Sequence, residues 1–153
     1  MANWLFIVKD HIHGGIRIPA WDILRNSVEH RFWSLNSRAR NIKRLQPGDN
    51  VIFCVSSSEG RLFAGHARIA SKAHPITPAQ KFNIVGKPSE NFDYSIELED
   101  AEIWQKSLPA EELLEQLSFI KNKQRWPSAF RGSIRELNDD DYNMIINLAK
   151  MRS

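Results

Sequence analysis

Five histidines, one cysteine and 21 Lys and Arg residues are the groups from which this 153-residue chain could build chemistry. His11 and His13 lie two apart beside Gly14-Gly15, but a metal centre needs three or four convergent ligands, and Cys54 stands alone within Val51-Ile52-Phe53-Cys54-Val55. No metal and no cofactor are expected, and Cys54 reads as a small hydrophobe in a reducing compartment. A nucleotide-hydrolysing loop needs several glycines and a Lys-Ser/Thr pair so that backbone amides cradle phosphate, and nothing of that kind occurs. No Gly-x-Ser-x-Gly elbow is present either. His66, within Ala64-Gly65-His66-Ala67-Arg68, fits a satisfied sheet histidine better than a general base. The chain therefore reads as a binding protein with no catalytic residue.

The arginines and lysines are more informative. Residues 30–48 carry Arg31, Arg38, Arg40, Lys43 and Arg44 without a carboxylate, and residues 116–135 carry Lys121, Lys123, Arg125, Arg131 and Arg135, again without one. Between residues 89 and 115, nine acidic residues face only Lys106. The formal charge of +3 is modest, so it is the separation by segment that points to a polyanionic partner. Each acid-free strip also carries a tryptophan, Trp33 in the first and Trp126 in the second.

These groups must be positioned by a core, and 153 residues with 42% hydrophobic content can bury about two-thirds of their unfolded surface in one. Residues 4–8 form a continuous apolar run, a strand buried on both faces. Pro19 opens a short helix through Leu24, residues 30–35 form a strand or turn, and residues 38–45 read as a second helix stopped by Pro47-Gly48. Residues 51–55 and 62–70 pair as a hairpin across a longer, Gly-containing loop. A long loop spans residues 71–91. Residues 94–99 alternate with period two and run on towards Trp104. Pro109 opens a helix with acids in its first turn, and Asn138-Asp139-Asp140-Asp141 caps a C-terminal amphipathic helix. With no repeated βαβ unit, the class is α+β with a mixed, barrel-like sheet flanked by short helices. No apolar run reaches membrane-spanning length, so a soluble, cytoplasmic protein (nuclear if the source is a eukaryote) is expected.

The succession Phe32-Trp33-Ser34-Leu35-Asn36, Arg38-Ala39-Arg40-Asn41, Pro47-Gly48-Asp49 and Phe63-Ala64-Gly65-His66-Ala67-Arg68-Ile69 resembles the core of EVE and YTH domains. The later Phe119-Ile120-Lys121-Asn122-Lys123-Gln124-Arg125-Trp126, Phe130-Arg131-Gly132 and Arg135-Glu136-Leu137 look like the C-terminal signature of small stand-alone EVE proteins. The resemblance runs from Trp4 to Leu148 and implies one EVE/PUA-like domain over residues 1–153, a monomer whose barrel opens a pocket on one side. It implies a partner in DNA or RNA carrying a modified, typically methylated, base, and a partner nuclease or restriction component. YTH relatives hold N6-methylated adenine in RNA, and EVE relatives are associated with modified bases in DNA.

On that resemblance, Trp33 is the stacking wall and Ser34 supplies a contact to the modified group. Lys9, Asp10 and His11, leaving the first strand, read the base edge. YTH domains supply a second cage tryptophan after the hairpin; residues 71–91 contain none, so Phe82 or Phe92 is the substitute, which leaves methylcytosine open beside methyladenine. Trp126 stacks on a base or sugar, or packs inside. Arg38, Arg40, Lys121, Lys123, Arg125 and Arg131 hold phosphates. Such a pocket must offset an unstacking cost of a few kcal/mol with roughly 1–3 kcal/mol per aromatic contact. The rival readings are a PUA-like RNA-binding module indifferent to modification, and a small hydrolase of modified nucleosides using Lys9 and His66.

Overall fold

The structure, a computed structural model, describes residues 1–13, 15–84, 92–121, 124–130 and 132–152. Its centre is the parallel pair β1 (Asn3–Lys9) and β5 (Asn50–Ser57), in register from Asn3 opposite Asn50 to Lys9 opposite Ser56. The unbroken apolar runs of both strands follow from their position between two cores. Trp4, Phe6 and Val8 with Val51, Phe53 and Val55 face one core; Leu5 and Ile7 with Ile52 and Cys54 face the other. Cys54 packs there as a small apolar group, its thiol pushed up to about 12 chiefly by burial.

Between β1 and β5 come β2 (His11–His13) and β3 (Ile16–Ile18), a separate two-stranded ribbon, then α1 (Ala20–His30) and β4 (Phe32–Leu35). After β5, β6 (Gly60–Ile69) returns antiparallel, followed by β7 (His74–Pro75), α2 (Pro78–Phe82) and β8 (Tyr94–Pro109). The chain closes with β9 (Ile134–Leu137) and α3 (Asp139–Arg152).

The main sheet runs β4-β8-β6-β5-β1-β9, with β7 on β8. It must curl, because Trp33 of β4 reaches Phe6 of β1 and Phe53 of β5, with ring centroids 5.4 and 5.2 Å apart, across the intervening strands. The bend lies in β8. Asp100 takes a φ of 51°, and the pairing with β6 shifts register twice. At Gly65 a side chain would overlap the Glu102 backbone carbonyl, so this close approach of β6 to β8 requires glycine.

Several elements differ from the sequence expectation. Residues 38–45 hold only a 3-10 turn at Ile42–Arg44 because Asn41 enters the left-handed region at φ 73°. Helix α1 continues past Leu24 to His30, burying Ala20, Leu24 and Ser27 on one face before Arg31 ends it at φ 59°. The β5–β6 connection is a tight two-residue turn, Ser57 pairing with Gly60, and not a longer loop. Residues 110–113 form a 3-10 turn in place of a helix. The 71–91 loop contains β7 and α2, the latter started by a capping box between Thr77 and Gln80; its residues 85–91 lie outside the described residues.

The C-terminal cap forms as expected, Asn138 Oδ1 accepting the Asp141 N–H at 2.8 Å. Buried Asp141 in turn accepts from the Ser118 and Phe119 N–H groups at 3.0 and 3.1 Å, tying α3 to the preceding segment. Among the described residues no helix is long and apolar enough to cross a membrane.

Candidate nucleic-acid interface

The C-terminal end of β1, the β2–β3 ribbon, α1 and β4 enclose a cavity of about 500 Å³. Trp33, Ser34, Lys9, Asp10, His11 and Phe92, which lie far apart in sequence, all line it. Trp33 is only 5% exposed. It stacks on Phe53 at an interplanar angle of 16° while bordering the cavity, so it serves the core and the wall together. Phe92 stacks on His11 with centroids 5.1 Å apart and an angle of 17°. Helix α1 contributes Ile23, Asn26 and Ser27, and Ser133 comes from the residue just before β9. Sequence reasoning missed these four; the only available trace was the spacing of Ile23 and Ser27, which places them on one helical face.

The charges at the cavity are arranged so that its polar groups are mostly neutral. Asp10 accepts the Ala20 N–H on Oδ1 at 2.7 Å and Arg17 Nε on Oδ2 at 2.8 Å, and forms an ion pair with Arg17. Its carboxyl is held below the usual range by the Ala20 N–H, against an opposing effect of burial, with Arg17 adding to the lowering. Asp10 thus pins the ribbon to α1, and both its oxygens already have partners. Burial pushes His11 below the ordinary imidazole range, with Asp10 opposing, which favours a neutral ring. Among the described residues no side-chain hydrogen bond or ion pair engages the Lys9 ammonium or the Ser34 hydroxyl.

The other aromatic candidates lie elsewhere. Phe82, the last residue of α2, is 88% exposed and is absent from the wall. Trp126 is half-buried in the second core, edge-on to Phe130 at 6.0 Å. Trp126 thus packs against the second core, and of the two phenylalanines Phe92 borders the cavity while Phe82 does not.

The two basic segments meet. Asn41 Nδ2 donates to the Ile134 carbonyl at 3.5 Å, and Arg44 binds Glu136 through both carboxylate oxygens at 2.9 and 3.0 Å. Arg44 lies over the Trp4 ring and Arg135 over Phe119, so these two cations are structural. Arg38, Arg40, Lys121 and Arg125 are exposed. Arg38 and Arg40 follow directly on the wall residue Asn36, which accepts the Arg38 N–H at 2.8 Å. Lys123 and Arg131 lie outside the described residues. The acids of β8 pair with neighbouring strands, Glu97 with His74 at 3.4 Å and Asp100 with Arg68 at 3.3 Å. Lys9 and His66 line different cavities, so no site joins them.

The chain is similar to a UPF0310 protein of Pyrococcus horikoshii, 28% identical over 141 residues that cover 84% of this chain and 90% of the relative. It is also similar to a UPF0310 protein of Mycolicibacterium gilvum, 24% identical over 157 residues, covering 95% and 93%. The fold matches that of human THYN1 protein in complex with 5-methylcytosine-containing DNA, with a TM-score of 0.64 at 16% identity over 98% of both chains. It also matches the YTH domain of Zygosaccharomyces rouxii MRB1 protein in complex with N6-methyladenosine RNA, with a TM-score of 0.62 at 14% identity over 97% of this chain and 87% of that one. The curled mixed sheet with short flanking helices is therefore a PUA-like fold. Since the EVE domain model matches residues 2–148, the chain belongs to the EVE domain family.

Proposed function

We propose that this protein binds nucleic acid and holds one flipped-out, methylated base in the cavity beside Trp33. The observation that carries the reading is the cavity wall: Trp33 and Phe92, separated by 58 intervening residues in sequence, converge on a space of about 500 Å³ with Ser34, Asn36 and Ser133 around it. A neutral heterocycle needs such a surface, aromatic faces to replace the lost stack and neutral donors and acceptors for its edge. The exposed Arg38 and Arg40 beside the wall suit the phosphates on either side. The human THYN1 protein and the yeast YTH domain, which share the fold, bind methylated nucleic acids, which supports the same ligand class here.

Recognition without chemistry is the role this wall fits, and cleavage would then belong to a partner nuclease. The test is equilibrium titration of oligonucleotides identical but for one methyl group, at 5-methylcytosine and at N6-methyladenine. Burial of one methyl contributes about 0.8 kcal/mol, so a preference of at least fourfold is the expected result. Equal affinities for methylated and unmethylated strands would leave a nucleic-acid-binding module indifferent to modification.

A further inference from the structure

The β2–β3 ribbon leaves the sheet at the cavity mouth, directly after Lys9, and Asp10 clamps its root through Arg17 of β3 and Ala20 of α1. Its outer part is unusually apolar for an exposed element: Ile12 is 78% and Ile16 69% exposed. The register places Ile12 opposite Arg17 and Ile16 opposite His13. Successive strand residues alternate faces, so Ile12 and Ile16 stand on opposite faces of the ribbon. A surface for a protein partner would gather its apolar groups on one face. A thin blade apolar on both faces suits a slot between two flat apolar surfaces.

Removing a base from a duplex creates such a slot, with one base pair above it and one below. Resting on the cavity reading given above, we infer that the ribbon is a wedge. Ile12 and Ile16 enter the stack of double-stranded nucleic acid where the captured base has left it. Apolar side chains that separate base steps stabilise the opened duplex in this way. The protein accordingly takes its base from a duplex and not from a single strand alone.

Ile16 does not line the cavity, so Ile16→Ser separates the wedge from the pocket, and its exposure leaves the thermal transition unchanged. The probes are duplex and single-stranded oligonucleotides of one sequence carrying one 5-methylcytosine, and a second set carrying N6-methyladenine. Ile16→Ser should weaken duplex binding about tenfold, equivalent to about 1.4 kcal/mol, and change single-strand binding by less than about twofold. A 2-aminopurine directly 3′ of the methylated base, in the same strand and paired with thymine, should brighten with the parent protein and less with the variant. Equal losses on both forms, or no loss on the duplex, would overturn the wedge. In that case a parent that still prefers methylated single strands leaves the cavity reading standing, whereas a parent blind to methylation in both forms removes both.

Discussion

The cavity beside Trp33 and the cavity beside Trp104 have nearly equal volumes, about 500 and 490 Å³, and share no lining residue, yet their polar groups are disposed in opposite ways. Around Trp104 the charges answer one another. The indole N–H donates to His66 Nδ1 at 2.8 Å, His66 Nε2 faces Glu102 at 3.6 Å, and Arg68 pairs with Asp100 at 3.3 Å. A ligand there would have to break pairs already made. Around Trp33 the carboxylate among the described lining residues, Asp10, is committed to the ribbon and α1, and what faces the space is aromatic wall, hydroxyl, amide and the Lys9 ammonium. Volume does not separate the two cavities; the ion pairs that line one and the aromatic wall that lines the other do.

Trp33→Ala is expected to produce the largest effect, because it acts on both roles of the residue. Truncating a nearly buried tryptophan stacked on Phe53 should cost about 3–5 kcal/mol of stability, read as a lower thermal midpoint. In the fraction that stays folded, loss of stacking and methyl burial should weaken binding of the methylated strand by about 2–4 kcal/mol. Trp33→Phe, which keeps a stacking face, should recover part of both. Full discrimination by the folded alanine variant would reduce Trp33 to a core residue.

A smaller effect is expected from Arg38→Ala with Arg40→Ala. Affinity should fall about equally for methylated and unmethylated strands, and the log–log dependence on salt should flatten by roughly 0.7–0.9 per lost phosphate contact. An unchanged salt slope would assign both arginines to the solvent.

The smallest effect concerns His11. Its folded pKa lies below the ordinary 6.5 because burial disfavours the charged ring, so the unfolded chain takes up the proton first as pH falls. The stability that depends on the neutral ring is present above about pH 6.5, declines as pH drops from there to the folded pKa, and is constant below it. A bound base buries His11 further, so affinity should decline over the same acid range. His11→Phe should remove that part of the pH dependence, and an affinity that rises on acidification would contradict the neutral ring.

The sequence revealed the frame of the fold through its most regular signals. The apolar runs of β1 and β5, the alternation at the start of β8 and the Asn138 cap each have a local physical cause visible in the residues themselves. The segment around residue 40 carries a helical signal because Arg38-Ala39-Arg40 favours a helix by propensity, while the left-handed Asn41 that breaks it also contacts the Ile134 carbonyl, which lies far off in sequence. The convergence of Lys9, Asp10, His11, Trp33 and Ser34 on one cavity followed from motif resemblance. Choosing between Phe82 and Phe92 required the sheet, since Phe92 comes beside His11 only when β8 turns back onto β4. The α1 wall was hidden for a related reason: Asn26 and Ser27 are ordinary surface residues until the helix is laid against the cavity. The Trp104 cavity left no sequence trace, because its lining joins β6, β8 and α3.

The central claim, that the cavity beside Trp33 selects the base and the one beside Trp104 does not, is tested most directly by the ratio of affinities for methylated and unmethylated strands in Phe92→Ala and Trp104→Ala. Both aromatics are half-buried, so both variants can be compared in the folded state. Phe92→Ala should lose about 1–3 kcal/mol of stacking and bring the ratio close to one, while Trp104→Ala keeps the parent ratio. The reverse pattern, selectivity surviving at Phe92→Ala and lost at Trp104→Ala, would contradict the account and move the base to the other cavity.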